Sequence, residues 1–135
     1  FVDGRTLGSI ISPPPRGPAE WIRHRILLDS CAAVNYMHHH TPVVVHGDLT
    51  PRNVLIEALT LRPKLIDFGL SKRHGKQDKM TGGSPSWMAP EVLVSFAVPG
   101  GDKPLAAPSV DIFAIGALAY FIVTATKPFH GVSPA

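Results

Sequence analysis

From Ile112 to Thr126 the sequence runs for about 15 residues without a charged side chain, with Asp111 before it and Lys127-Pro128 after it. A helix needs ~20 apolar residues to cross a bilayer, so this run is too short to span one. Its closed, polar-ended pattern predicts a helix buried inside a protein core. Other elements must therefore surround it. With 135 residues, the chain has room for one core that removes about two thirds of its unfolded surface from water. Hydrophobic residues at 44% and charged residues at 17% fit a globular fold rather than a disordered chain.

The rest of the pattern supplies the surroundings. Residues 12–18, Ser-Pro-Pro-Pro-Arg-Gly-Pro, form a loop, because proline lacks the amide donor and restricts its predecessor. Trp21, Ile22, Ile26, Leu27, Ala33, Val34 and Met37 then recur at three- and four-residue steps, predicting an amphipathic helix from about Ala19 to His39. Three short strands are expected at Val43–Val45, Val54–Ile56 and Lys64–Asp67, in small hairpins rather than one large sheet. The polar, glycine-rich stretch Ser71–Ser86 reads as a mobile loop, and Pro99–Pro108, with Gly100-Gly101, as a second loop. The last helix is expected to begin near Asp111.

Charge and cysteine narrow the classes further. A net charge of +3 and a pI near 9.3 suit a phosphate-bearing partner. The basic residues are scattered except over Lys72–Lys79, with no aromatic interleaving, and nucleic acid is not the expected partner. The single cysteine, Cys31, cannot form an internal disulfide and fits a reducing, intracellular and cytoplasmic setting. Three consecutive histidines, His38 to His40, invite a metal reading. Successive helical positions diverge by about 100°, which works against their converging on one ion.

The chemistry-bearing residues come in a fixed order. His46-Gly47-Asp48-Leu49-Thr50-Pro51-Arg52-Asn53 lies between two predicted strands, Asp67-Phe68-Gly69 follows the third, and Met88-Ala89-Pro90-Glu91 lies downstream. Alone, each has an ordinary explanation: an Asx-capped turn for Asp48 and Asn53, a strand-end turn for Asp67 to Gly69. In this order they resemble the catalytic loop, metal-binding triplet and Ala-Pro-Glu segment of eukaryotic-type protein kinases, and Asp111–Gly116 resembles that family's buried central helix.

The resemblance implies an α+β fold: a mainly helical large lobe with a small β layer, the small lobe missing. Residues 1–135 read as a partial kinase domain, from the interlobe hinge through the central buried helix, with the N-lobe and terminal helices absent; Phe1 and the loop-like Pro128–Ala135 read as cut ends. It also implies transfer of the ATP γ-phosphate, with Mg2+, to Ser/Thr hydroxyls of protein substrates. On that reading Asp67 and Asn53 hold the metal ions, Asp48 orients the substrate hydroxyl, and Ser84 hydrogen-bonds Asp48. Phe1–Leu7 resembles the hinge, which implies that Val2 meets the adenine edge, Thr6 the ribose, and Leu55 the underside of the base; a plain turn entering a helix fits the same residues. His46 and Phe68 resemble the stacked column linking the lobes, and Asp111 its anchor through hydrogen bonds accepted from the catalytic-loop backbone, with a helix N-cap as the simpler alternative.

Three departures from the family pattern stand out. Gly47 replaces the usual arginine before the catalytic aspartate, so no guanidinium is available there to pair with a loop phosphate. Thr50 stands where a lysine is usual, with Arg52 as a substitute positive charge. The stretch from Glu91 to Asp111 is long, with Pro99–Pro108 as the apparent insert. Gly47 and Thr50 keep open a catalytically impaired scaffold, while a small-molecule phosphotransferase is the other rival, usually lacking an Ala-Pro-Glu segment.

Overall fold

A computed structural model describes residues 3–13, 15–74 and 78–131. The order is β1 (Gly4–Thr6), α1 (Leu7–Ile10), α2 (Glu20–His39), β2 (Val44–Val45), β3 (Val54–Glu57), β4 (Pro63–Leu65), β5 (Lys72–Arg73), a 3-10 turn (Pro85–Trp87), α3 (Pro90–Ala97) and α4 (Pro108–Thr124). Among the described residues, four helices and two small sheets make an α+β fold.

The two long helices follow from their periodicity. α2 buries Arg23, Ile26, Ser30, Val34 and Met37, each three or four residues from the last, so one stripe faces inward. Trp21, expected on that stripe, is instead 62% exposed. α4 starts three residues earlier than predicted, at Pro108, where a missing amide donor breaks no helical hydrogen bond. It ends at Ala125, a left-handed residue whose N–H closes on the Phe121 carbonyl at 2.8 Å. Among the described residues, no helix is long and apolar enough to cross a membrane.

α2 and α4 pack together over the main core, where Leu7, Ile26, Val54, Ile56, Leu118 and Ile122 are essentially inaccessible to water. Each such side chain is worth about 1.5–3 kcal/mol relative to exposure. Arg23 is buried beside this core, and its guanidinium donates to the carbonyls of Ser12, Pro18 and Ile122 at 2.5, 3.1 and 2.6 Å. It thereby ties the proline-rich loop to the C-terminal turn of α4, where carbonyls lack helical partners. Nothing in the periodicity of α2 distinguishes Arg23 from a solvated arginine.

The strands depart from expectation in their partners. β3 and β4 form the expected hairpin, though β4 ends at Leu65. β1, read from sequence as a turn or hinge, adds to it as an antiparallel strand with Thr6 opposite Leu55. Gly4 is required there, because a β-carbon would collide with the Ile56 carbonyl. β2 pairs with β5, inside the stretch expected to be a mobile loop. A second core joins that stretch to the C-terminal half: Met80, Val92, Ala106 and Val110 are buried against Val45 and Ala89. α3, which carries Val92, was not anticipated, since its eight residues offer barely two turns of pattern.

Candidate active site

Asp111 is the point from which the site is built. It lies inside the first turn of α4 rather than at the cap position, which Ala107 occupies, and its side chain is only 1% exposed. A buried carboxylate is tolerated only when its charge is fully engaged. Oδ2 accepts the His46 N–H at 2.8 Å and the His38 Nε2–H at 2.9 Å, and Oδ1 accepts the Gly47 N–H at 2.9 Å. The helix thus holds the entry of the 46–53 loop through its backbone, a geometry no N-cap would give. The other two histidines go elsewhere: His39 Nδ1 bonds the Asn35 carbonyl at 2.9 Å and His40 Nδ1 the Pro42 carbonyl at 3.3 Å.

His46 is fully buried, and its partners define its tautomer. Nε2 lies 3.1 Å from the Ile66 carbonyl, which can only accept, and Nδ1 lies 3.3 Å from the Asp48 N–H, which can only donate; the proton therefore sits on Nε2. The ring lies 4.9 Å from that of Phe68, which is itself half exposed, and the Ser71 hydroxyl donates to the His46 carbonyl at 3.1 Å. These contacts join the loop after β2 to the turn after β4.

Asp48 is held from two sides. The Ser84 N–H donates to Oδ1 at 2.9 Å, and the Asn53 side-chain amide donates to Oδ2 at 3.1 Å and to the Asp48 carbonyl at 2.8 Å. The expected Ser84 contact is therefore made by its backbone amide, not its hydroxyl. Gly83, at φ +142°, brings that amide close: a side chain there would lie 2.9 Å from the Met88 methyl. With its nitrogen occupied by Asp48, Asn53 keeps Oδ1 free of hydrogen bonds among the described residues. Asp67 is exposed at φ +62°, and one carboxylate oxygen accepts the Gly69 N–H at 3.2 Å, the Asx turn expected of a strand end.

The remaining expected positions divide. Thr6 and Leu55 are brought face to face by the β1–β3 register, both partly buried. Val2 lies outside the described residues. Thr50 is buried, with its hydroxyl accepting the Arg52 N–H at 3.3 Å, so it closes the turn internally. Arg52 is exposed and makes no ion pair among the described residues.

A loop hung from a buried aspartate, an aspartate–asparagine pair within it, and a second aspartate on the adjoining turn are the elements on which protein kinases are built. The chain belongs to the protein kinase domain family, which it matches over residues 1–134. Among its relatives are two Dictyostelium discoideum proteins named probable serine/threonine-protein kinase: drkC is 36% identical over 134 residues, covering 93% of this chain and 17% of the relative, and drkA is 29% identical over 150 residues, covering 95% and 22%. The Arabidopsis thaliana probable serine/threonine-protein kinase SIS8 is 31% identical over 137 residues, covering 99% of this chain and 12% of the relative. The chain thus spans less than a quarter of the length of each.

Proposed function

We propose that residues 1–135 are the large-lobe part of a kinase domain and that the protein containing them transfers the γ-phosphate of ATP to serine or threonine hydroxyls of intracellular protein substrates. The observation that carries this reading is the double hold on Asp48, by the Ser84 N–H on one carboxylate oxygen and the Asn53 amide on the other. A scaffold has no use for a carboxylate aimed so closely; a phosphotransferase needs one, because catalysis there is mainly positioning.

In this mechanism Asp48 orients the substrate hydroxyl and takes its proton as the oxygen attacks. Asn53 steers Asp48 through its amide nitrogen and leaves a neutral oxygen for a cation, while Asp67 offers an anionic one. Hard oxygen donors of this kind suit Mg2+, which would neutralise charge on the ATP phosphates when bound. Thr6, Leu55 and Val2 are assigned to the nucleotide, and Arg52, which makes no ion pair among the described residues, to charge near the transferred group. The names of the relatives, and the resemblance of Gly83–Glu91 to the substrate-anchoring segment of serine/threonine kinases, support serine/threonine rather than tyrosine as acceptor.

The test is phosphotransfer by the full-length protein to a generic protein substrate, with the product hydrolysed to identify the phosphorylated residue. Asp48→Asn and Asp67→Ala should each lower turnover by about 10²-fold or more without lowering the melting temperature. Normal turnover by Asp67→Ala would remove the metal assignment, and phosphotyrosine as the sole product would remove the acceptor assignment.

A further inference from the structure

We infer that the segment from Val98 to Ala107 is a strap that positions the activation segment, described over residues 71–74 and 78–88, for the phosphotransfer proposed above, with Lys79 and Asp102 as positioning residues. Within the stretch Pro99–Pro108, expected as a loop, residues 104–106 instead run antiparallel to residues 78–80. The Met80 N–H donates to the Pro104 carbonyl and the Ala106 N–H to the Asp78 carbonyl, both at 2.9 Å, setting Lys79 opposite Leu105. His74 Nδ1 adds a bond to the Ala106 carbonyl at 2.9 Å, and the Lys79 ammonium pairs with Asp102. The other edge is tied to α3: Lys103 donates to the Ser95 carbonyl at 2.7 Å and lies 4.0 Å over the Phe96 ring.

The strap reaches the site through Met80. This side chain is buried, and its terminal methyl would stand 3.2 Å from a β-carbon placed on Gly47, so it packs directly on the glycine preceding Asp48. Four residues after Met80 comes the Ser84 N–H that holds Asp48. Fixing the register at Met80 therefore limits where the Ser84 amide can lie. Activation loops can also be ordered by a phosphate paired with arginine. Gly47 offers no guanidinium, and the strap supplies order through main-chain pairing instead.

The flanking hydrogen bonds make Lys79 and Leu105 a non-hydrogen-bonded antiparallel pair, with Cα atoms expected about 4.5 Å apart, inside the disulfide range. In the full-length protein, a Lys79→Cys/Leu105→Cys variant should therefore oxidise to a cross-strand disulfide. Cys31 should not compete, since burial raises its thiol pKa. The oxidised enzyme should keep phosphotransfer within about twofold of the reduced form. Asp102→Lys, which sets two ammonium groups together on the surface, should speed hydrogen exchange at the Met80 and Ala106 amides about threefold or more. It should raise KM for the protein substrate similarly, leave KM for ATP unchanged, and be reversed by adding Lys79→Glu. A more than tenfold loss on oxidation, or Met80 and Ala106 amides exchanging as fast as an unstructured peptide in the unaltered protein, would overturn the strap. If the unaltered protein transfers no phosphate, the phosphotransfer reading fails, while disulfide formation and amide exchange still decide the strap.

Discussion

The 46–53 loop and the activation segment both converge on Asp48, yet they are held by opposite means. The loop hangs from a carboxylate sealed inside the protein, whose oxygens serve two backbone amides and a histidine. The activation segment is tied by short backbone pairings and by an ion pair open to solvent, where the hydrogen bond from Lys79, and then its charge, hold the Asp102 carboxyl below its ordinary pKa. A buried charge cannot lose one partner cheaply, because no water replaces it. An exposed pair is readily exchanged for solvent and weakened by salt. The first arrangement depends on a buried charge, whereas in the second only the ion pair is open to solvent, its neighbours Met80 and Ala106 being buried in the second core.

The largest effect is expected at Asp111. Asp111→Ala strands the His46 and Gly47 amides and the His38 ring, and should cost about 3–5 kcal/mol in denaturant unfolding of the full-length protein's kinase domain. Asp111→Asn keeps one acceptor oxygen and should cost roughly half as much. If Asp111→Ala unfolds at the same denaturant concentration as the unaltered protein, the loop is not hung from this carboxylate.

A smaller effect tests whether Gly47 is a loss or a fit. Its φ of +80° is strained for any residue with a side chain, and the Leu70 carbonyl and Met80 methyl would stand 3.1 and 3.2 Å from a new β-carbon. Restoring the family's usual residue with Gly47→Arg should therefore destabilise by about 1–3 kcal/mol and lower turnover rather than raise it. A gain in turnover would show that the backbone relaxes to accept the side chain.

The smallest effect is expected at Ser84. Because the backbone amide makes the bond to Asp48, Ser84→Ala should change stability by no more than about 0.5 kcal/mol and turnover by no more than about twofold. Ser84→Pro removes the donor itself and should reduce turnover far more. Equal losses in both variants would assign the contact to the hydroxyl.

Elements whose signal is local and long are legible in the sequence alone. α2 and α4 were legible to within one to three residues, because each repeats its buried positions over several turns. The order of the chemistry-bearing residues was legible too, since Asp48, Asn53 and Asp67 carry distinctive side chains at fixed spacings. Tertiary structure alone decided what those residues hold and what holds them. β2 and β5 are two residues long, too short to show an alternating pattern, and β1 finds its partner about fifty residues away. The main-chain bonds of the strap, the β2–β5 pairing and the Ser84 donor are peptide groups, which every residue but proline carries in full, so they leave no mark on the sequence. Asp111 could be read as a cap or as an anchor until the loop's amides were placed on its carboxylate. Trp21 was assigned to the core by periodicity and lies outside it, because a helical stripe identifies a face, while only the packing of neighbours determines how far around the helix that face is covered.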